Sequence, residues 1–215
     1  MTDAPPFLAA TGRSAVAATS PLPRLVLASA SPRRRELLAS LGLAFEVQPA
    51  DIDESVIPGE EAGEYVLRLA RAKAAALGRP GELVLAADTV VVLDGELLGK
   101  PADRAGAAVM LARLAGREHR VATGVALAEP ATGREAASVT HSRVRMAAMS
   151  PEQIEWYIAT GEPLDKAGSY GIQGNGALFV EEVVGNYTNV VGLPLPATAR
   201  LFVELGYDLS WFRPA

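Results

Sequence analysis

The stretch "LVLASASPRRRELLASLGL" (residues 25–43) decides the fold and raises the question of function. Residues 24–28, "RLVLA", are mostly apolar and end at a Ser–Ala–Ser–Pro turn, a pattern typical of a short buried strand. Ser31 then provides a helix N-cap, Pro32 occupies the first helical position, and Gly42 ends the helix. A buried strand that runs through a tight turn into a helix is typical of an α/β fold.

Three consecutive arginines, Arg33 to Arg35, occupy the first turn of this helix. A helix start already carries partial positive charge, so cations there are unfavourable unless an anion binds. The main-chain N–H groups of the turn and the hydroxyls of Ser29 and Ser31 suit a phosphate, and the guanidinium groups of Arg33 and Arg34 can clamp it. A solvated basic turn is the alternative, but a buried strand aimed at a basic helix start favours an anion site.

The composition of the chain narrows the class of anion and of metal that this site could bind. The 215-residue chain has a formal net charge of −5, and 49% of its residues are hydrophobic, as in ordinary globular proteins. An acidic chain is a poor partner for nucleic acid, so a local basic site indicates a small anion. The chain has no cysteine and only two histidines, so a zinc cluster is excluded and any metal would have oxygen ligands, which favours Mg²⁺ or Mn²⁺.

The rest of the chain predicts a mixed sheet with flanking helices. Strands are predicted at 45–55, at 82–101 with a hairpin turn at Asp94–Gly95, on both sides of Gly133, and at 177–184. Helices are predicted over roughly 60–77, 102–115, 150–161 and 194–206. Because hairpins argue against a purely parallel sheet, we predict a mixed sheet. Residues 24–215 contain no repeat and no linker, so we predict that they form one α/β domain.

The first 23 residues are rich in Ala, Thr, Ser and Pro and offer little apolar surface to bury. This composition predicts a flexible N-terminal extension rather than a signal peptide. No apolar run reaches the ~18–20 residues that a membrane helix needs. We therefore expect a cytoplasmic protein without a membrane partner.

Acidic residues supply the second half of the candidate site. Asp88 follows the apolar run "LVLAA", and an aspartate is rarely buried unless it is paired or binds a metal. At the end of a buried strand that faces a phosphate site, Asp88 suits a metal ligand or a general base, with a turn-capping role as the alternative. Glu54 ends the acidic loop "DIDE", where on spacing alone Asp51, Asp53 or Glu54 could face the site.

Two lysines and a glycine-rich loop complete the candidates. Lys73 lies on a helix of mostly Leu and Ala, where a lysine that only extends to solvent is equally expected. Lys100 follows the hairpin, whose return strand can bring it back to the same pocket. The loop "DKAGSYGIQGNG" (165–176) has four glycines, which let the main chain approach a ligand, while Asp165, Lys166 and Gln173 offer polar groups to it. A flexible surface loop is the alternative.

The segment "HRVATGV" (119–125) contributes two further observations. Gly124 interrupts a predicted strand, which marks either a bulge or a close main-chain approach. His119 stands alone, and a lone histidine is more often structural than catalytic.

Together these motifs resemble the Maf family of nucleotide pyrophosphatases over residues 24–208. The resemblance rests on "LASASPRRRELL", "AADTVV" with "GKP", "HRVATGV", "DKAGSYGIQG" and "GNYTNVVGLP". It implies an α/β fold related to inosine triphosphatases, with two lobes around a cleft. It also implies hydrolysis of a nucleoside triphosphate between the α and β phosphates, with a divalent metal cation as cofactor.

The resemblance also implies roles for individual residues. Those expected to bind the triphosphate are Ser29, Arg33, Arg34, Lys73 and Lys100. Glu54 and Asp88 are expected to hold metal and water, with Asp88 as the proton acceptor. Those expected to act in substrate choice are Arg33, Thr89 and Gln173.

Within the family, "DKAGSYGIQG" is similar to the branch that acts on dTTP and UTP. The branch that acts on 7-methyl-GTP usually lacks this Lys and the Tyr-Gly-Ile-Gln run. The resemblance therefore implies pyrimidine triphosphates as substrates, a role in cleansing nucleotide pools, an effect on septum formation and a homodimer. The alternatives are a 7-methyl-GTP pyrophosphatase and a non-catalytic nucleotide-binding regulator of division, and the presence of both Glu54 and Asp88 favours an enzyme.

Overall fold

One mixed sheet with helices on both faces organises the chain, which the computed structural model describes from residue 21 to residue 214. The strands are β1 (Arg24–Leu27), β2 (Glu46–Val47), β3 (Glu82–Leu93), β4 (Glu96–Leu98), β5 (Glu118–Glu129), β6 (Arg134–Met146) and β7 (Val180–Val184). The helices are α1 (Pro32–Ala39), α2 (Ala62–Ala76), α3 (Arg104–Leu114), α4 (Pro151–Ala159), α5 (Tyr187–Val191) and α6 (Leu195–Glu204). Within residues 21–214, no helix has both the length and the apolarity needed to cross a membrane. The N-terminal extension predicted for residues 1–23 lies outside the described residues, apart from 21–23, and stays a prediction.

The strand order in the sheet is β2–β1–β3–β5–β6–β7, with β4 paired to β3. β1 runs parallel to β2 and β3, and the other pairs are antiparallel. The parallel pairs follow from the helical crossovers, whereas tight turns at Asp94–Gly95 and Gly133 produce hairpins. Both residues of the first turn have positive φ, 54° and 85°, as a two-residue hairpin turn requires. The predicted α/β class with a mixed sheet is confirmed.

The two faces of the sheet pack against different helices. On one face, Val84 and Ala86 of β3 pack against Ala70 and Ala74 of α2. On the other face the buried side chains divide into two clusters. One cluster joins β1, α1 and α6, and the other joins α3, α4 and the neighbouring ends of β3 and β5. These clusters are the cores of two lobes, as predicted.

One edge of β3 is left without a strand partner where the two lobes meet. β1 covers this edge as far as Leu85, which pairs with Leu27, and β4 covers it from Val91, which pairs with Leu98. Among residues 21–214, no strand pairs with 86–90 at this edge, although β5 pairs with the opposite edge throughout. The gap exposes the middle of a buried strand to the space between the lobes.

Several element boundaries differ from the prediction. Asp88 does not end a strand, because β3 continues through it to Leu93. The strand predicted at 45–55 is only Glu46–Val47, since its neighbour β1 has just four residues and ends at the turn before α1. The strand predicted from 177 begins at Val180, because Gly174–Phe179 forms a 3₁₀ helix. Helix α5 was missed altogether.

Gly124 of β5 allows α2 to lie directly on the sheet. It pairs with Asp88 across β3 and β5 without a bulge. A Cβ atom at this position would overlap the main-chain carbonyl group of Val66 in α2 and lie 2.8 Å from the main-chain nitrogen of Leu67. Of the two meanings predicted for this glycine, close main-chain approach is therefore confirmed.

We predict that Gly124→Ala pushes α2 off the sheet and lowers the free energy of unfolding by roughly 1–3 kcal/mol, since the overlap is with main chain that cannot rotate away. Urea denaturation measures the loss. Gly63→Ala, in the first turn of the same helix, is the matched control because its Cβ would meet only ordinary contacts at 3.8 Å. That control should be neutral or stabilising by up to about 1 kcal/mol. Equal stability of the two variants would contradict this account of the packing.

Candidate active site

The space between the lobes is a cavity of about 520 Å³, within the usual range for small-molecule sites. The predicted site residues that line it are Ser29, Arg33, Arg34, Glu54, Lys73, Asp88, Thr89, Lys100 and Asp165. Gln173 is not among the lining residues and is exposed. It directly precedes Gly174, which has a positive φ of 69° and lies beside the Glu162 carboxylate. The structure therefore brings together every predicted residue except Gln173.

A lysine between two carboxylates forms the centre of the cavity. Lys73 Nζ lies 2.6 Å from Glu54 Oε1 and 2.6 Å from Asp88 Oδ1. Asp88 and Lys73 are buried, because Asp88 is on the face of β3 that packs against α2 and Lys73 is in the last turn of α2. Glu54, from the loop after β2, is half-exposed. The two acidic candidates thus share one cation.

The positive charge of Lys73 keeps Glu54 ionised. Partial burial acts to raise the pKa of Glu54, but the hydrogen bond and charge of Lys73, helped by the charges of Lys100 and Arg34, outweigh it and hold the pKa below its usual value. Tyr65 of α2 fixes the loop that carries Glu54, because its hydroxyl donates to the Glu54 main-chain carbonyl at 3.0 Å. Burial, with the negative charges of Asp88 and Glu54, raises the pKa of Tyr65 to about 12, so this donor stays protonated.

Arg34 is a fixed cation on the wall opposite α2. Its Nε donates to the Gly192 carbonyl at 2.8 Å, and its Nη2 donates to Thr89 Oγ1 at 3.0 Å. Burial and the neighbouring charge of Arg33 lower the pKa of Arg34, while Asp88 opposes the shift. An arginine remains charged even so, because its usual value is above 12.

A buried polar network behind Arg34 holds this wall in place. Thr89 Oγ1 lies 3.0 Å from Thr123 Oγ1, and the Thr123 hydroxyl donates to the Asn189 carbonyl at 3.0 Å. The side-chain amide of Asn189 donates in turn to the Val121 carbonyl at 3.1 Å and to Ser142 Oγ at 3.0 Å. The "GNYTNVVGLP" motif therefore supplies Asn189 to the network behind Arg34, a structural role that the sequence did not suggest. The available signal was Asn186, whose side chain caps α5 as an N-cap asparagine does.

The start of α1 is built as predicted, and the hydroxyl oxygens of Ser29 and Ser31 act there as hydrogen-bond acceptors. Ser31 Oγ accepts from the Arg34 main-chain N–H at 3.4 Å, and Ser29 Oγ accepts from the Ser31 N–H at 3.2 Å. Arg33 reaches across the cleft, where its Nη1 lies 3.5 Å from Asp165 Oδ2. Arg35 is exposed and does not line the cavity.

Lys166, one of the polar groups that the glycine-rich loop was expected to offer, also lines the cavity. Its Nζ lies 2.6 Å from Asp165 Oδ1 and donates to the Glu162 carbonyl at 2.6 Å. Partial burial acts to raise the pKa of Asp165, but Lys166 and then Arg33 outweigh it, and the pKa lies below its usual value. The sequence indicated this side chain as a polar group of the loop, but its contact with the Glu162 carbonyl depends on the fold of 162–166.

The donor set fits a divalent metal that arrives with its ligand. Among residues 21–214, no group of three or more His, Cys, Asp or Glu side chains is placed to hold a metal ion. Glu54 and Asp88 are nonetheless close, since each contacts the same ammonium group. Mg²⁺ is commonly held by one or two carboxylates together with substrate phosphates, so these two residues fit such an ion.

Basic side chains surrounding a paired set of carboxylates, in a cleft of an α/β fold, define a protein that binds a small polyanion. The family described as "Maf-like protein" matches residues 24–205. The chain belongs to this family.

Curated relatives of the chain carry the name dTTP/UTP pyrophosphatase, among them two from Anaeromyxobacter. The protein of Anaeromyxobacter dehalogenans strain 2CP-1 is 57% identical over 194 residues, which cover 89% of this chain and 99% of the relative. That of Anaeromyxobacter sp. strain Fw109-5 is 58% identical over 194 residues, covering 89% and 94%. Among solved structures, a HAM1 protein from Coxiella burnetii is 18% identical with a TM-score of 0.45, covering 84% of this chain and 98% of that one. At that distance the likeness carries no argument about the site.

Burial of His119 predicts that the stability of the fold depends on pH. His119 is buried behind the cavity wall, with Nε2 2.7 Å from the hydroxyl of Tyr170, and burial lowers its pKa to about 4. Because the unfolded chain binds this proton near pH 6.5, stability is complete above pH 6.5 and falls as the pH drops towards 4, by about 3 kcal/mol in total.

Urea denaturation at pH 7, 6 and 5 tests this slope in the wild type, in His119→Gln and in His141→Gln. We expect His119→Gln to flatten the slope. The exposed His141 serves as the control and should leave the slope unchanged. The same slope in all three proteins would contradict a buried neutral His119.

Proposed function

We propose that the chain hydrolyses nucleoside triphosphates, dTTP and UTP foremost, to the nucleoside monophosphate and pyrophosphate. The observation that carries this proposal is the contact of Lys73 with both Glu54 and Asp88 in a cavity with a basic wall. The names of the relatives support the choice of dTTP and UTP.

The cations of the cavity support binding of the triphosphate. Arg33, Arg34 and Lys100 line the cavity with Lys73 and attract a polyanion to it. Lys73 has three N–H donors, and the two carboxylates engage only two of them. The third donor is free to bind a phosphate oxygen, so Lys73 can serve the phosphates and the carboxylates together.

Asp88 is the residue we assign to proton transfer. It is buried beside Lys73, at the gap in the edge of β3, where a water molecule and the α-phosphate can both reach it. The carboxylate accepts a proton as the water oxygen bonds to the α-phosphorus and the bond to the bridging oxygen of the β-phosphate breaks. When bound by Glu54 and Asp88, Mg²⁺ or Mn²⁺ supplies charge neutralisation for the phosphate oxygens.

The remaining expectations belong to this proposal as well. We propose a cytoplasmic enzyme that removes unwanted nucleotides, including modified pyrimidine triphosphates, and through them affects septum formation. A homodimer, the absence of a nucleic-acid partner and a role of Gln173 in substrate choice stay predictions.

We expect Asp88→Asn to lower turnover of dTTP by roughly 100- to 10,000-fold, the usual contribution of a general base. Binding of a non-hydrolysable dTTP analogue should be retained, because the cations remain. Asp51→Asn is the matched control, since Asp51 is an exposed acid in the loop that carries Glu54. Pyrophosphate release and calorimetric binding give the two readouts. Wild-type turnover in Asp88→Asn would overturn the assignment.

A panel of nucleoside triphosphates, each with Mg²⁺ and with Mn²⁺, tests the substrate class. We expect the highest kcat/KM for dTTP and UTP. A preference for 7-methyl-GTP would replace this proposal with the other branch. Tight binding without release of pyrophosphate from any member of the panel would indicate a nucleotide-binding regulator instead.

A further inference from the structure

The carboxylate of Glu162 lies at the centre of the glycine-rich loop, residues 165–176. Its Oε1 accepts hydrogen bonds from the Tyr157 hydroxyl at 2.8 Å and from the Gly176 N–H at 3.0 Å. Its Oε2 accepts from the Asn175 N–H at 2.9 Å. One side chain outside the loop thus binds two consecutive main-chain amides within it.

Tyr157 holds the same loop at a second point. It is fully buried in α4, and its hydroxyl accepts from the Gly171 N–H at 3.0 Å while donating to Glu162. The pair formed by Tyr157 and Glu162, here called the loop anchor, therefore fixes the main chain at 171 and again at 175–176.

The glycines of the loop make room for this anchor. A Cβ at Gly176 would overlap the Tyr157 hydroxyl and the Gly171 carbonyl. A Cβ at Gly174, which has a φ of 69°, would lie 2.8 Å from Glu162 Oε2. The sequence suggested that these glycines let the main chain approach a ligand, but at 174 and 176 the groups approached belong to the protein itself.

The anchored loop forms a wall of the cavity that differs from the wall of arginines. Its lining residues are Asp165, Lys166, Ala167, Tyr170, Gly171 and Ile172. Asp165 and Lys166 form an ion pair of 2.6 Å on this wall, so the loop adds no net positive charge, whereas Arg33 and Arg34 make the other wall cationic. Small and apolar groups beside hydrogen-bonding groups suit a base and its sugar, so the triphosphate fits against the arginines and the nucleoside against the loop.

We propose that Tyr157 and Glu162 are positioning residues for nucleotide selectivity, which hold the loop in the shape that accepts a pyrimidine nucleoside. Neither side chain lines the cavity, so both act through the loop. The inference rests on the proposed function, since it concerns the selectivity of that reaction.

The charge of Glu162 is part of the anchor. Partial burial acts to raise its pKa, but the Tyr157 hydroxyl, the two amides and Lys166 outweigh burial, and the pKa lies below its usual value. In Glu162→Gln, one of the two oxygens becomes an NH₂ group, which places a donor against a donor at one of the three contacts. Tyr157→Phe leaves the Gly171 N–H without its acceptor.

Two measurements test the proposal in Tyr157→Phe and in Glu162→Gln. Amide hydrogen exchange across 171–176 should become at least ~10-fold faster in each variant, because a hydrogen bond to a charged or buried group is lost. The ratio of kcat/KM for dTTP to that for dGTP should fall at least ~10-fold, through a higher KM for dTTP, while kcat changes by less than about 3-fold.

Tyr207→Phe is the matched control, because it removes a tyrosine–carboxylate hydrogen bond of 2.6 Å to Glu129 away from the cavity. It should change neither measurement. Faster exchange without a change in selectivity would overturn the proposal, and so would unchanged exchange in both variants. A wild-type protein that hydrolyses neither dTTP nor UTP would instead overturn the proposed function, a result obtained before any variant is compared.

Discussion

The buried contact between Lys73 and Asp88 is the constraint on which the rest of the site depends. Removing both charges from water costs free energy, and a buried ion pair is often no more stable than an apolar pair of the same size. The contact is therefore better explained by function than by stability. It requires α2 to lie flat on the sheet, and Gly124 permits this by leaving space for the helix main chain. Glu54 then completes the cluster from the loop after β2, which a hydrogen bond from Tyr65 connects to the same helix.

The gap in the edge of β3 leaves the contact between Lys73 and Asp88 open to the cavity between the lobes. Asp88 and Thr89 are consecutive and so project to opposite faces, one towards Lys73 and the other towards Arg34. Both still line the same cavity because no described strand covers this part of the edge. Two neighbouring residues of one strand thus connect the acidic centre to the basic wall, and each face of the sheet contributes one half of the site.

Local sequence patterns were sufficient for features that depend on local chemistry. Ser31 and Pro32 marked the start of α1, an aspartate in an apolar run marked Asp88, and a glycine in a strand marked either a bulge or a close main-chain approach. The patterns failed where long-range contacts decide the outcome. They gave Lys73 equal odds of extending to solvent, and they did not single out Glu162, because the partners of both come from other elements. Helix α5 was missed because its five residues depend on contacts with β5 rather than on an apolar periodicity.

Hydrolysis of dTTP in ¹⁸O-labelled water tests the central claim most directly. If water bound beside Asp88 attacks the α-phosphorus, the label enters dTMP and the pyrophosphate remains unlabelled. Mass spectrometry of both products after one turnover distinguishes the outcomes. Label in pyrophosphate, or release of inorganic phosphate with dTDP, would contradict the account, because water would then have attacked a phosphorus other than the one assigned to Asp88.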